Sequence, residues 1–223
     1  MLTIALAGNP NCGKTSLFNL LTKSRQHIGN WPGVTVEKKE GTLKFKGENY
    51  KVIDLPGTYS LGAYSEDEIV ARNYILKDKP DVVINVVDAT NLERNLYLTT
   101  QLIEMGANVV IALNMIDQAE ALNIEIDTNK LSKRLGVPII KTSALKNRGI
   151  EELIETSIYS KKNEKLININ YGEDIENEIK NLSSLLETYK NKLEFPVNWT
   201  ALKLLENDEY IKDKVKQLNS PSI

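Results

Sequence analysis

An eight-residue stretch near the start of the chain constrains its fold more than any other feature. Residues 8–15 read GNPNCGKT and match the phosphate-binding pattern G-x-x-x-x-G-K-[ST]. The apolar run from Leu2 to Ala7 predicts a short buried strand before it, and the leucines up to Lys23 are spaced as on a helix. A loop between a strand and a helix presents backbone N–H groups and a helix N-terminus to phosphate. This context argues against a chance match in a glycine-rich turn.

Positions within this phosphate loop have separate expected roles. Gly8 and Gly13 let the backbone approach phosphate oxygens closely. Lys14 is expected to reach the β- and γ-phosphates, and the Thr15 hydroxyl is expected to hold Mg²⁺. Five further residues of this segment are also predicted to contact the nucleotide: Asn9, Pro10, Asn11, Cys12 and Ser16.

Composition limits the class of protein. The 223 residues allow one large domain, or one domain with a small appendage, and a net charge of −2 offers no basic field for nucleic acid or anionic lipid. Cys12 is the sole cysteine, which excludes an intrachain disulfide; we interpret it as a small residue at a free loop position rather than a redox group. The sequence contains no signal peptide and no apolar run of membrane-spanning length, so we expect a soluble chain.

Residues 24–36 contain glycines and a proline and are predicted to form a long loop without regular structure. Thr35 follows the phosphate loop by about twenty residues, where nucleotide switch proteins keep a threonine that meets Mg²⁺ and the γ-phosphate. An ordinary turn threonine is the alternative, and Gly33 and Val34 belong to the same predicted contact. Two interpretations of Trp31 stay open: it covers the nucleotide, or it packs on the domain.

A second nucleotide-site element follows the predicted strands 37–45 and 49–55. It reads Asp54-Leu55-Pro56-Gly57, a D-x-x-G pattern. Asp54 is expected to bind Mg²⁺ through a water, and the Gly57 N–H to meet the γ-phosphate, with Pro56 between them. D-x-x-G alone is a weak signal, but it gains weight downstream of a phosphate loop and Thr35.

Alternating predicted strands and helices up to residue 160 indicate a parallel sheet covered on both faces. At the end of the predicted strand 109–113, Asn114, Met115 and Asp117 belong to an N-x-x-D motif. The Asp117 carboxylate can accept two hydrogen bonds from guanine, whereas adenine offers no such donor pair, so the motif predicts guanine selectivity. Met115 replaces the common lysine and can keep an apolar contact with the base.

A third element completes the predicted base-binding side. The stretch Ser143-Ala144-Leu145 follows the predicted strand 137–140 and fits an S-A-x loop, in which a backbone N–H contacts guanine O6. The predicted helices 128–135 and 150–158 flank it.

A change of composition divides the chain after residue 160. We predict a nucleotide-binding domain at 1–160, a polar linker at 161–171 and a helical domain at 172–223. Apolar residues from Asp174 to Leu193 have helical spacing, and two further helices are predicted around Trp199 and over 210–218. The sequence has no cysteine or histidine cluster that would hold a transition metal.

These motifs together resemble the ferrous iron transport protein B family. The resemblance covers nearly the whole chain and rests on five segments: GNPNCGKT at 8–15, GNWPGVTVE at 29–37, DLPGTYSL at 54–61, NMID at 114–117 and FPVNWTALKLL at 195–205. It implies an α/β Ras-like P-loop GTPase domain, with a mostly parallel six-stranded sheet and helices on both faces, plus a small all-α helical domain.

The resemblance also implies a function and a setting. GTP and GDP with Mg²⁺ are the expected ligands, and nucleotide turnover is expected to be coupled to Fe²⁺ uptake through a membrane permease region. That region is not within these residues, so we expect a fragment of a longer chain at the cytoplasmic face of a bacterial or archaeal plasma membrane. Small accessory iron-transport proteins and further copies of the chain are candidate partners, and nucleic acid is not.

The expected catalytic residues are Lys14, Thr35 and Gly57, which the motifs indicate, and Asn11, which the resemblance implies. Thr58 occupies the position at which Ras-like enzymes carry a water-positioning glutamine, and Arg25 is ten residues from Thr35, so slow intrinsic hydrolysis is expected. The resemblance implies that Asn11 helps to bind K⁺, which supplies charge beside the phosphates. Backbone carbonyls of the loop at Gly29, Asn30 and Trp31 are expected to complete the K⁺ site. A residue that only shapes the loop is the alternative for Asn11.

Two other functions stay open at this point. A GTPase of ribosome or transfer-RNA maturation shares the N-P-N-x-G-K loop, but it would carry a basic RNA-binding appendage, and the segment after Asp174 is mildly acidic. A module that binds nucleotide without turnover is suggested by Thr58.

Overall fold

The computed structural model describes residues 1–23, 26–62, 64–160 and 170–218. The strands in these ranges are β1 (Thr3–Gly8), β2 (Gln26–Asn30), β3 (Glu37–Phe45), β4 (Glu48–Asp54), β5 (Val82–Asp88), β6 (Val109–Asn114) and β7 (Ile139–Lys141). The helices are α1 (Lys14–Thr22), α2 (Glu66–Asn73), α3 (Leu92–Glu104), α4 (Ile116–Ala121), α5 (Thr128–Leu135), α6 (Ile150–Tyr159), α7 (Glu173–Glu187), α8 (Val197–Leu205) and α9 (Glu209–Leu218). Arg25 and most of the predicted linker lie outside the described residues.

The strands form one mixed sheet in the order β2-β3-β4-β1-β5-β6-β7. The five strands from β4 to β7 in this order run parallel, as predicted, while β2 and β3 add antiparallel pairs at one edge. The prediction of a six-stranded sheet is therefore wrong, because the sheet formed by the described residues has seven strands. The additional strand lies in the stretch predicted as loop, and it pairs with β3 from Gln26 opposite Gly41 to Asn30 opposite Glu37.

Successive side chains of the central strands point to opposite faces of the sheet, and each face has its own hydrophobic core. In β1, Ile4 and Leu6 belong to the core that includes residues of α1 and α6. Ala5 and Ala7 belong to the other core, which includes residues of α2, α3 and the helical domain. Helices thus cover both faces, and the carboxyl ends of the parallel strands meet at one edge.

The helical domain shares the core of α2 and α3. Phe195, Trp199 and Ile211 are buried in the same cluster as Tyr74 of the π-helical turn that continues α2. The long helix predicted to reach Leu193 ends instead at Glu187, and two turns follow it. Within the described ranges, no helix has both the length and the apolar character needed to cross a membrane.

Candidate nucleotide-binding site

The parallel register brings the predicted motifs to one edge of the sheet. Asp54 at the end of β4 lies opposite Leu6 of β1, two residues before the phosphate loop begins. On the other side of β1, β5 pairs with β6, where Asp88 lies opposite Asn114. Residues far apart in the chain therefore surround the phosphate loop, the arrangement in which open α/β sheets bind ligands.

Two positions of the phosphate loop require glycine for steric reasons. Gly13 has φ 86°, and a Cβ there would lie 2.3 Å from Asn114 Nδ2. A Cβ at Gly8 would lie 2.7 Å from Cys12 Sγ and equally close to a backbone oxygen of β5. The glycines therefore let the loop fold tightly onto the strands beneath it.

Lys14 and Asp54 form a buried ion pair beneath the loop. Their side chains are 10% and 6% exposed, and the Lys14 ammonium donates to Asp54 Oδ1. Burial raises the pKa of Asp54, and the positive charge of Lys14 opposes that rise. Thr15 and Ser16, which follow at the start of α1, are exposed.

Cys12 is a packing residue. Its side chain is 1% exposed and belongs to the core between the sheet and α1. Burial raises the pKa of its thiol to about 11, so the group stays protonated near neutral pH. The position is therefore not the free loop position that the sequence suggested.

The D-x-x-G segment lies directly against the phosphate loop. A Cβ on Gly57 would lie 3.5 Å from the backbone of Pro10, and the Thr58 N–H donates to Gly8 O at 3.2 Å. Thr58 is 5% exposed. Its side chain is therefore buried and is not exposed to solvent, as a glutamine that orients water in a Ras-like enzyme would be.

The loop that carries Thr35 is held at its two ends. The Trp31 N–H donates to Val36 O at 2.9 Å, and its ring packs edge-on against Tyr74 with centroids 5.2 Å apart. Trp31 is 8% exposed, so of the two interpretations the packing one is correct. Thr35 itself is exposed and, among the described residues, makes no hydrogen bond that would join it to the phosphate loop.

Asn114 ties the phosphate side of the site to the base side. It is 2% exposed, its Nδ2 donates to Cys12 O at 2.9 Å, and its Oδ1 accepts from Ala144 N at 3.0 Å. One buried amide thus sets the distance between the phosphate loop and the S-A-x loop. Because the Ala144 N–H is used here, the Leu145 N–H is the better candidate donor to a base.

Asp117, the last residue of the N-x-x-D motif, has two polar neighbours. The Ser143 hydroxyl lowers the pKa of its carboxyl, and Lys146 Nζ lies 3.5 Å from its Oδ2. Met115 has φ 58°, and its Cε lies 3.6 Å from the position that a Cβ on Gly13 would occupy. The Met115 side chain therefore covers the phosphate loop. Sequence reasoning missed Lys146, although its place directly after the S-A-x triplet was a usable signal.

The sequence model of the ferrous iron transport protein B family matches residues 2–157, and that of the FeoB cytosolic helical domain matches residues 171–222. The chain belongs to this family. The Fe(2+) transporter FeoB of Methanocaldococcus jannaschii is 53% identical over 213 residues, which cover 96% of this chain and 32% of the relative. The FeoB of Escherichia coli K12 is 47% identical over 216 residues, 94% of this chain and 27% of the relative. The chain thus spans about a third of the length of these FeoB relatives, or less.

Solved FeoB structures share the fold. The apo cytosolic domain of the T. maritima FeoB iron transporter matches with a TM-score of 0.92 at 45% identity, over 100% of this chain and 88% of that one. The GMPPNP form of the same domain also has a TM-score of 0.92 and 45% identity, with the same coverage. A GDP-bound mutant of the S. thermophilus FeoB G-domain matches with a TM-score of 0.87 at 42% identity, over 98% of this chain and 87% of that one.

Proposed function

We propose that the chain binds GTP at this edge of the sheet and hydrolyses it to GDP and phosphate. The observation that carries the proposal is the junction at Asn114, which joins the phosphate loop to the base-side loop through one buried amide. Gly57 adds a third motif against the same loop. FeoB relatives solved with GDP and with GMPPNP support the choice of nucleotide.

Phosphate binding requires the contact between Lys14 and Asp54 to open. Each buried side chain is now the charge partner of the other. In the proposed complex, the β- and γ-phosphates would replace Asp54 as the partner of Lys14, and the Asp54 carboxylate would help to hold Mg²⁺ through a water. Both buried charges stay paired in each state, which avoids the cost of a lone buried charge.

The donors beside the loop suit Mg²⁺, which prefers hard oxygen ligands. They are the Asp54 carboxylate at the loop, the exposed Thr15 hydroxyl at the start of α1 and the exposed Thr35 hydroxyl. When bound, Mg²⁺ supplies positive charge to the β- and γ-phosphate oxygens. Lys14 and the loop N–H groups add to that charge, and the Gly57 N–H binds the γ-phosphate.

We propose K⁺ as the source of the remaining charge, with Asn11 as its side-chain ligand. Asn11 is exposed with φ 66°, and its amide makes no hydrogen bond with any described residue, so its oxygen is available. Backbone carbonyls of Gly29 and Trp31, at the end of β2, are the proposed further ligands. The carbonyl of Trp31 accepts a hydrogen bond from Val34 N at 3.3 Å and keeps a second lone pair.

The reaction is tested by multiple-turnover phosphate release from GTP with Mg²⁺. Wild type should turn over many times, and Lys14→Ala should lose most nucleotide binding because it removes the point charge on the phosphates. Lys133→Ala, an exposed lysine on α5, is the matched control and should change neither quantity. Tight GTP binding by wild type without turnover would instead identify a nucleotide-binding module.

We further propose that this turnover regulates Fe²⁺ passage through a membrane region of a longer chain. Its support is the name of the relatives, Fe(2+) transporters that extend well beyond the matched residues. In this proposal 1–160 is the nucleotide domain, 161–171 the linker and 172–223 the helical domain, at the cytoplasmic face of the membrane. A relative named as a fusion of Fe(2+) transport protein A with FeoB supports an accessory partner. Iron uptake by the longer chain with and without Lys14→Ala tests the coupling.

A further inference from the structure

We propose that Arg94 is a positioning residue for GTP hydrolysis, which acts through the ring of Tyr59 to hold Gly57 against the phosphate loop. The inference rests on the proposed GTPase function and adds to it a residue outside the recognised motifs. Arg94 lies in the first turn of α3. Its side chain is exposed. Its contacts reach the phosphate loop and the segment after D-x-x-G, the two parts of the site that must bind the γ-phosphate together.

The start of α3 is a fixed point of the fold. The Asp88 carboxylate, at the end of β5, accepts from Thr90 N at 2.8 Å and from Asn91 Nδ2 at 2.9 Å. The buried amide of Asn95 completes the arrangement, since its Oδ1 accepts from Asp88 N at 3.2 Å and its Nδ2 donates to Asn91 O at 2.9 Å. The backbone of Arg94 therefore has a defined place relative to the sheet.

From this fixed point Arg94 contacts the phosphate loop and the segment after D-x-x-G. Asn9, the second residue of the phosphate loop, is 3% exposed and donates through Nδ2 to Arg94 O at 3.4 Å. The Arg94 guanidinium carbon lies 4.1 Å from the centroid of the Tyr59 ring, within the range of a cation–π contact. Tyr59 is two residues after Gly57, so the arginine joins the two motifs from outside.

The segment that contains Gly57 has two other attachments. The Thr58 N–H donates to Gly8 O at 3.2 Å, and the Leu61 N–H donates to Gln101 Oε1 on α3 at 2.7 Å. Tyr59 lies between them and is 43% exposed, so the stack on Arg94 restrains the part of the segment that solvent could otherwise release. With the stack in place, Gly57 stays beside Pro10 of the phosphate loop.

This placement predicts a selective effect on the rate. The Gly57 N–H meets only the γ-phosphate, which GDP lacks, so loosening the segment should lower kcat and leave GDP affinity unchanged. An exposed cation–π contact is worth about 0.5–1 kcal/mol, which corresponds to a two- to five-fold change in rate. An arginine that touched the phosphates would contribute on the order of 10³–10⁵ in rate, a clearly different outcome.

The experiment compares kcat, the KM for GTP, GDP affinity and Tm in wild type, Arg94→Ala, Tyr59→Leu, Tyr59→Phe and the double variant of Arg94→Ala with Tyr59→Leu. Arg134→Ala, an exposed arginine on α5, is the matched control. The two single losses should each lower kcat two- to five-fold with GDP affinity unchanged and Tm lowered by no more than about 4 °C, because the same contact is lost from the folded state. The double variant should lose no more than either single one, and Tyr59→Phe should keep the wild-type rate because it keeps the ring.

Several results would overturn the proposal. An unchanged kcat in Arg94→Ala, additive losses in the double variant, or an equal loss of GDP affinity would each exclude positioning through Tyr59. A loss of 10³-fold or more would make Arg94 a catalytic residue instead. Absence of turnover in wild type is a separate outcome, because it removes the proposed function and with it the reaction that Arg94 would serve.

Discussion

At the scale of single residues, Asp117 is expected to decide which base is bound. Its carboxylate, whose pKa the Ser143 hydroxyl lowers, matches the donor pair of guanine. Asp117→Asn should weaken GTP binding by about 10- to 100-fold, the cost of 1–3 kcal/mol for mismatched polar groups, and should favour xanthine nucleotides. Titration calorimetry with GTP, XTP and ATP measures this. Equal affinity of wild type for ATP and GTP would contradict the assignment.

Asn11 is the residue on which we expect a dependence on potassium. Thr58 is buried and the described loop residues 26–36 contain no arginine, so in our proposal K⁺ supplies charge in the transition state that these residues do not. We expect faster turnover in KCl than in NaCl at equal ionic strength, and loss of that difference in Asn11→Ala with GTP still bound. Equal rates of wild type in the two salts would exclude a role for K⁺.

The sequence could predict which motifs meet at this edge of the sheet, because each motif has a fixed spacing and lies at the end of a strand. It could not predict how they are joined. That Asn114 bonds Cys12 O and Ala144 N depends on two strands and a loop that only the sheet brings together. Arg94 belongs to no motif of fixed spacing, so its contact with Tyr59 was likewise beyond sequence reasoning.

At the scale of elements, the carboxyl group of Glu104, the last residue of α3, is partly buried near Lys203 of α8 in the helical domain. Burial raises the pKa of Glu104 to about 7, with Lys203 opposing the rise and Glu206 adding to it. Its Oε1 has no hydrogen-bond partner among the described residues. The folded protein therefore keeps a proton that the unfolded chain releases near its ordinary pKa of about 4.5.

The sign of the effect on stability follows from this difference. Between pH 4.5 and 7 the folded state binds more protons than the unfolded state, so the contribution of Glu104 to the free energy of unfolding falls as pH rises. Glu104→Gln should therefore stabilise the protein by about 2 kcal/mol at pH 8 and by little at pH 4.5. Urea unfolding at both pH values measures this, with Glu93→Gln on the exposed face of α3 as control. A pH-independent difference would contradict it.

The two elements that sequence patterns described wrongly show why patterns fail. β2 is an exposed edge strand whose residues include Gly29 and lack an apolar alternation, so only its pairing with β3 makes it a strand. The apolar spacing after Glu187 continues to Leu193, yet the backbone leaves the helix there and forms turns. The spacing of apolar residues indicates which residues are buried. It does not distinguish a helix from a series of turns, because both can bury the same residues.

At the scale of the whole molecule, a buried ion pair joins the nucleotide domain to the helical domain. Arg72, on the α2 helix after D-x-x-G, is 0% exposed and donates to Asp208 Oδ2 at 3.1 Å. Its guanidinium carbon also lies 4.5 Å from the Tyr210 ring centroid. The other carboxylate oxygen of Asp208 accepts from Ile211 N at 3.1 Å and caps α9, so one aspartate both starts a helix and docks it.

This arrangement predicts that the two domains unfold as one unit only while the pair is intact. Asp208→Asn keeps a capping oxygen but leaves Arg72 as an unpaired buried charge, which should cost about 3–5 kcal/mol and divide the unfolding transition into two. Adding Arg72→Met removes the charge as well and should recover most of that loss, because an apolar side chain can fill the same space. Thermal unfolding followed by calorimetry in the two single variants and the double variant measures both effects. Additive losses, or a single transition in Asp208→Asn with wild-type Tm, would show that apolar packing around Trp199 holds the domains together without the ion pair.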